Sequence, residues 1–301
     1  MNALPIARTE AIPFETHTPT DTQFLQGAVT RTATIAGVLR LPQVNAGPLP
    51  AVIVLHGSGG YSAYIDAWVQ RLNQWGLATF VVDSFSGRGL HKVADDQGRL
   101  GRLVGTLDAY RALETLARHP LIDPARVALL GFSRGGQGAL YAAMRRFQGY
   151  YLQPGLQFSR FIALYPNCAA RYQQDEQLVE RPVHIFHGAL DDFNSAAACA
   201  GYVRRLAAAG AQVALTVYPG AHHVFDWEGY SEPHRAPGNQ SLRECRIAES
   251  PQGVLINQAT GQPFSYADAC VVAGTTAAYN AAAAAQVIEA IKGLLSIGHQ
   301  R

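Results

Sequence analysis

The chain has 301 residues, 48% of them apolar and 15% charged, with 24 basic and 22 acidic side chains giving a formal charge of +2. This composition excludes a disordered, collagen-like or coiled-coil chain. The near balance of charge leaves no nucleic-acid footprint, and no apolar run approaches the roughly 18 residues of a membrane helix.

Taken in chain order, the N-terminal stretch MNALPIARTEAIPFETHTPTDTQF lacks a basic segment followed by an apolar one. The expectation is a cytoplasmic protein, or a periplasmic or secreted one that has lost its signal. Residues 31–41 alternate and predict an edge strand, whereas 51–56 (AVIVLH) form the continuous apolar run of a strand buried on both faces. Residues 63–75 put Ile65, Trp68, Val69 and Leu72 on one helical face, and Gly76 stops the helix. A second buried strand follows at 77–83, then the glycine-rich loop SFSGRGL. A helix is predicted over 106–118, with Leu107, Tyr110, Leu113 and Leu116 inward, then a strand at 126–132 and a small-residue helix at 135–147. Strands at 160–165, 183–187 and 213–218 enclose an alanine-rich helix at 195–209, which ends at Gly210. The last helix spans 281–295, with Val287, Ile288, Ile291, Leu294 and Leu295 on one stripe. Alternating strands and helices imply a mostly parallel sheet of about eight strands flanked by helices, in one domain. Ligands in such sheets bind at the carboxyl ends of the strands.

Residues 226–276 do not fit the alternation. They are rich in Pro, Gly, Asn and Ser, and read as an insertion before the last helix with a hairpin near 245–265, stapled by Cys245–Cys270 if the cysteines pair. The other two cysteines are Cys168 and Cys199, and none has C-x-x-C spacing. Two readings stand: disulfides formed in an oxidising compartment, or four buried free thiols.

Four motifs carry chemistry. Gly131-Phe132-Ser133-Arg134-Gly135 is a G-x-S-x-G between an apolar strand and a small-residue helix. There a sharp turn exposes the serine hydroxyl at a helix N-terminus. His56-Gly57-Ser58-Gly59-Gly60 follows a buried strand and offers backbone N–H groups. Acyl transfer needs two such donors, one from Arg134 and one from this loop, with Ser58 preferred and Gly59 next. His56 itself is expected to hydrogen-bond locally. His187-Gly188-Ala189-Leu190-Asp191-Asp192 supplies an acid to orient a histidine. Spacing leaves Asp191 and Asp192 open, the unused one being expected to cap the 195–209 helix. Ala221-His222-His223-Val224-Phe225 supplies the base, again with two histidines open. The order Ser, Asp, His, each on a loop after a strand, is that of α/β hydrolases.

The chain resembles the α/β-hydrolase superfamily and, within it, the dienelactone hydrolase-like family. HGSGG at 56–60, DSFSGRG at 83–89, GFSRGG at 131–136, HGALDD at 187–192 and YPGAHHVFD at 218–226 carry the likeness. The resemblance implies that the acid is the aspartate three after the glycine, Asp191, and that the base is the histidine two before the phenylalanine, His223. In dienelactone hydrolase itself the nucleophile is a cysteine where this chain has Ser133, which points away from a dienelactone and toward a general ester or lactone. Arg88 has two readings: a bidentate partner for a substrate carboxylate, or a brace for main-chain carbonyls. Tyr61, Tyr64 and Trp227 flank the motif loops and have two readings, pocket residues or ordinary surface-covering aromatics, and Gly59 is a further candidate pocket residue. No metal cluster stands out, and HGSGG lacks the lysine of a phosphate-binding loop, so no cofactor is expected. The expected activity is hydrolysis of a small-molecule ester or lactone through an acyl-enzyme. A peptidase or acyltransferase on the same fold is the alternative, and a non-enzymatic binding protein would be expected to lack a triad member.

Overall fold

The computed structural model describes residues 6–28, 31–43 and 47–296. Eight strands form the main sheet: β1 (Ile6–His17), β2 (Thr32–Pro42), β3 (Leu49–Leu55), β4 (Ala78–Asp83), β5 (Ile122–Phe132), β6 (Phe161–Leu164), β8 (Val183–Gly188) and β9 (Val213–Tyr218). The short β7 (Ala170–Arg171) lies outside it. The order across the sheet is β1-β2-β4-β3-β5-β6-β8-β9, parallel except for the antiparallel β1–β2 and β2–β4 pairs. This is the mostly parallel sheet expected from the alternation, in the α/β-hydrolase arrangement that the family resemblance implies. The edge differs: β1 pairs along nearly the whole of β2, so β2 lies inside the sheet and β1 is the edge.

The strands alternate their side chains between two cores. Along β3, Ile53 and Leu55 face one core while Val52 and Val54 face the other. The second core takes Ile65, Trp68 and Leu72 from α2 (Ala63–Gln74) and Val287, Ile291 and Leu295 from α7 (Ala281–Ser296). The first takes the apolar stripes of α3 (Val104–Leu116), α4 (Arg134–Tyr141), α5 (Arg145–Tyr151) and α6 (Ala196–Ala208), with α1 (Asp21–Leu25) beside them. Each fully buried Val or Leu side chain contributes roughly 1.5–3 kcal/mol. The helix predicted over 135–147 is two helices. Met144 bridges to Leu178 and the Arg145 amide donates to the Gln177 carbonyl, so the chain turns there without a glycine or proline.

Residues 226–276 carry their own strands. β10 (His234–Ser241) pairs antiparallel with β14 (Val272–Ala277). β11 (Ile247–Glu249) and β12 (Leu255–Asn257) form a hairpin, extended by β13 (Gln262–Pro263) and flanked by β7. All four cysteines pair, as Cys168–Cys199 and Cys245–Cys270, and the free-thiol reading falls. Cys245 and Cys270 are 25 residues apart, so their bond removes about 3 kcal/mol of unfolded-chain entropy. A Cys245→Ser/Cys270→Ser variant is expected to lose stability of that order, read from the urea midpoint against wild type.

The carboxyl ends of the parallel strands stand in register, with Leu55 opposite Gly131, Phe132 opposite Leu164, Leu164 opposite Phe186, and Gly188 opposite Tyr218. The loops that follow β3, β5, β6, β8 and β9 therefore meet at one end of the sheet.

Candidate active site

Ser133 sits between β5 and α4 with φ 54° and ψ −113°, a left-handed backbone that a side chain rarely adopts. The turn is held by close packing of backbone on backbone. A Cβ on Gly131 would strike the Gly135 carbonyl, and one on Gly135 the Leu55 carbonyl. Glycine is required at both positions for the elbow to close, and the hydroxyl is thereby lifted above the sheet.

His223, on the loop after β9, places Nε2 3.0 Å from the Ser133 hydroxyl and Nδ1 2.7 Å from Asp191 Oδ2. Its ring lies between Phe193, stacked at 4.8 Å, and the edge of Tyr165 at 4.6 Å. The Ala278 amide donates to the His223 carbonyl, so the end of β14 backs this loop. Asp191 Oδ1 accepts from the Phe193 and Asn194 amides at 2.9 and 2.8 Å. Burial alone would raise the Asp191 carboxyl. The His223 imidazole and its hydrogen bond, His187, and the Asn194 amide outweigh burial and hold it below the usual carboxylate range. His187 stands behind, with Nδ1 3.7 Å from Asp191 Oδ2, and burial lowers its own pKa.

The paired residues in each motif separate. Asp192 accepts from the Thr276 amide and hydroxyl at 2.7 and 2.9 Å, tying β14 to the loop after β8. Neither aspartate caps α6; Ser195 does. His222 is half-buried, and the hydrogen bonds to Ser133 and Asp191 are made by His223 instead. His56 bonds locally, through Nδ1 to the Gly57 carbonyl and through Nε2 as acceptor from the Ser84 amide. The amides of Ser58, Gly59 and Arg134 find no acceptor among the described residues. The Arg134 guanidinium turns away from the serine and clasps Gln97, Leu100 and Gly101.

Two pocket assignments fail. Arg88 spends all five of its N–H donors inside the protein: on both Asp108 oxygens at 2.8 Å, and on Thr18 Oγ1, the Ser84 carbonyl and the His17 carbonyl. It braces loops and has nothing left for a substrate. Arg88→Ala would strand the buried Asp108 carboxylate and is expected to cost about 3–5 kcal/mol, measured by chemical denaturation. Tyr61 is exposed and bonds Asp66 and Arg40. Gly59, Tyr64 and Trp227 line a cleft of about 410 Å3 that reaches Ser133 and His223. Ser133 also lines a separate recess of about 20 Å3, together with Arg102, Arg134, Gln137 and Asn167.

Sequence reasoning missed the anchor of the histidine loop. Asp226 is buried and accepts from Trp68 Nε1 at 2.6 Å, Tyr64 at 2.7 Å and Tyr165 at 3.0 Å. Burial raises its carboxyl despite these donors. Its place three residues after His223 was the one available signal.

The model of the dienelactone hydrolase family matches residues 35–246, more than half of the chain. The chain belongs to the dienelactone hydrolase family. Among curated proteins, Lipase 1 of Moraxella sp. (strain TA144) is 35% identical over 102 residues, covering 34% of this chain. The chain spans about 30% of that relative's length. Among solved structures, a dienelactone hydrolase-like promiscuous phosphotriesterase from metagenomic libraries superposes with a TM-score of 0.62 at 18% identity, over 95% of this chain and 98% of that one. An esterase of the archaeon Pyrobaculum calidifontis superposes at 0.50 and 18% identity, over 74% and 79%. Both share the α/β-hydrolase fold of this family member. Among the described residues, no cluster of His, Cys, Asp and Glu is arranged to hold a metal, and no helix is long and apolar enough to cross a membrane.

Proposed function

We propose that the protein hydrolyses small-molecule carboxylic esters or lactones through an acyl-enzyme on Ser133. The observation that supports this most directly is the His223 ring held between the Asp191 carboxylate and the Ser133 hydroxyl. In this reading His223 Nε2 takes the hydroxyl proton as Oγ attacks the carbonyl carbon. Asp191 accepts from Nδ1–H, fixes the tautomer and stabilises the imidazolium. The Ser58 and Arg134 amides, the latter at the positive end of α4, receive the oxyanion, each contributing roughly 3 kcal/mol to lowering the barrier. His223 then protonates the departing alcohol. It next deprotonates the water that attacks the acyl carbon and frees Ser133.

The two disulfides support a working place outside the reducing cytosol. An active-site-directed fluorophosphonate tests the mechanism. It is expected to label the native protein once, on Ser133, as read by peptide mass. A folded protein that stays unlabelled at Ser133 overturns it.

A further inference from the structure

The geometry points to a division of the ester across Ser133, with an acyl group no larger than acetyl in the recess and a ring-bearing alcohol in the cleft. This rests on the serine mechanism above.

The position of the base sets the direction. Whichever side holds the leaving oxygen must also hold the proton donor, because the C–O bond breaks as His223 Nε2–H passes its proton to that oxygen. His223 lines the cleft and does not line the recess. The alcohol therefore departs into the cleft, and the acyl carbon stays bonded to Oγ with its substituent toward the recess.

The recess is small and its walls are fixed. Its volume of about 20 Å3 holds one or two water-sized groups. Gln97 forms part of its wall, with Oε1 accepting from Ser58 Oγ at 3.3 Å and from Arg134 at 2.9 Å. The Gln97 amide donates at 2.8 Å to Gln240 of β10. Asn167 is held in turn by Arg102 at 3.1 Å and Asn194 at 3.0 Å. A longer acyl chain would have to break these bonds and leave the half-buried Gln97 and the buried Asn167 amides unpaired against hydrocarbon, which costs more than the chain's own burial returns. Phe193 and Leu242 also line it. The cleft, at about 410 Å3, presents the rings of Tyr64, Trp227 and Tyr230 beside the polar Asn239 and Thr275. Flat faces with hydrogen-bonding edges suit a ring that carries the ester oxygen.

Benzyl acetate and methyl phenylacetate test the assignment. They are constitutional isomers with the ester reversed, and their alcohols are of nearly equal acidity. Wild type is expected to favour benzyl acetate by at least about tenfold in kcat/KM. Equal rates, or preference for methyl phenylacetate, overturn the assignment. Hydrolysis of neither isomer by a protein whose Ser133 still takes the fluorophosphonate also overturns it. Failure of Ser133 to react with the fluorophosphonate sinks the serine mechanism instead. Leu242→Ala provides a second reading. It is expected to raise kcat/KM on 4-nitrophenyl hexanoate relative to 4-nitrophenyl acetate by about tenfold. An unchanged ratio in a folded variant counts against the recess as the acyl site.

Discussion

Ser133→Ala is expected to lower kcat on an acetate ester by about 10^6-fold while leaving the protein folded. Among the described residues the side chain makes one hydrogen bond, to His223, and it is buried. Alanine keeps its Cβ, so the strained turn meets no new clash. A background above the rate in water is expected to remain, because the free amides at Ser58 and Arg134 still bind a developing oxyanion. Initial rates with single-turnover controls, together with a thermal midpoint, check both halves. A variant that retains wild-type turnover would refute covalent catalysis at this residue.

The second large effect belongs to Asp191. Asp191→Asn is expected to cost about 10^4-fold in kcat. With its oxygen kept on the Phe193 and Asn194 amides, asparagine turns its NH2 donor toward His223 Nδ1, where it cannot accept the ring proton, so the ring rotates or settles in the tautomer that carries its proton on Nε2, facing the serine. Asparagine can still present an oxygen to the Phe193 and Asn194 amides, so the loop should persist. Asp192→Asn is the control, since Asp192 accepts from Thr276, whereas the His223 ring bonds Asp191 and Ser133. It is expected to act on KM rather than kcat. Folding depresses the Asp191 carboxyl, so its contribution to stability is complete above its unfolded pKa of about 4. That contribution is lost as pH falls through the lower folded value. Acid unfolding of Asp191→Asn should lack that component.

What the sequence disclosed followed from physics that acts locally. The strands over 51–56, 77–83 and 126–132 are buried on both faces, so composition alone marks them. Ser133, Asp191 and His223 were legible because each lies on the loop that follows a strand, β5, β8 and β9 in turn. β1 escaped notice because its inward positions, Glu10, Ile12, Phe14 and Thr16, mix polar and apolar residues, which leaves no apolar period to read. The break between α4 and α5 is set by the Leu178 segment, a partner distant in sequence. β10 contains Pro237 and Gly238 and is largely exposed, so it read as loop until β14 paired with it. The fate of Arg88 depended on Asp108, Thr18 and His17, none of which local spacing brings into view. The choices between neighbouring aspartates and histidines turned on which side chain faces the serine, a tertiary fact that family likeness had anticipated.

The packing of Gly131 and Gly135 against carbonyls leaves the elbow no room to vary. By contrast, Tyr230, Asn239, Gln240 and Leu242 all come from the inserted segment and share no hydrogen bond with Ser133, Asp191 or His223. On the assignment proposed above, reactivity and selectivity lie on separable stretches of chain. A mutant library randomised at those four positions should explore new substrates while nearly every member keeps a working nucleophile. The same diversity spent on the elbow would return mostly inactive clones.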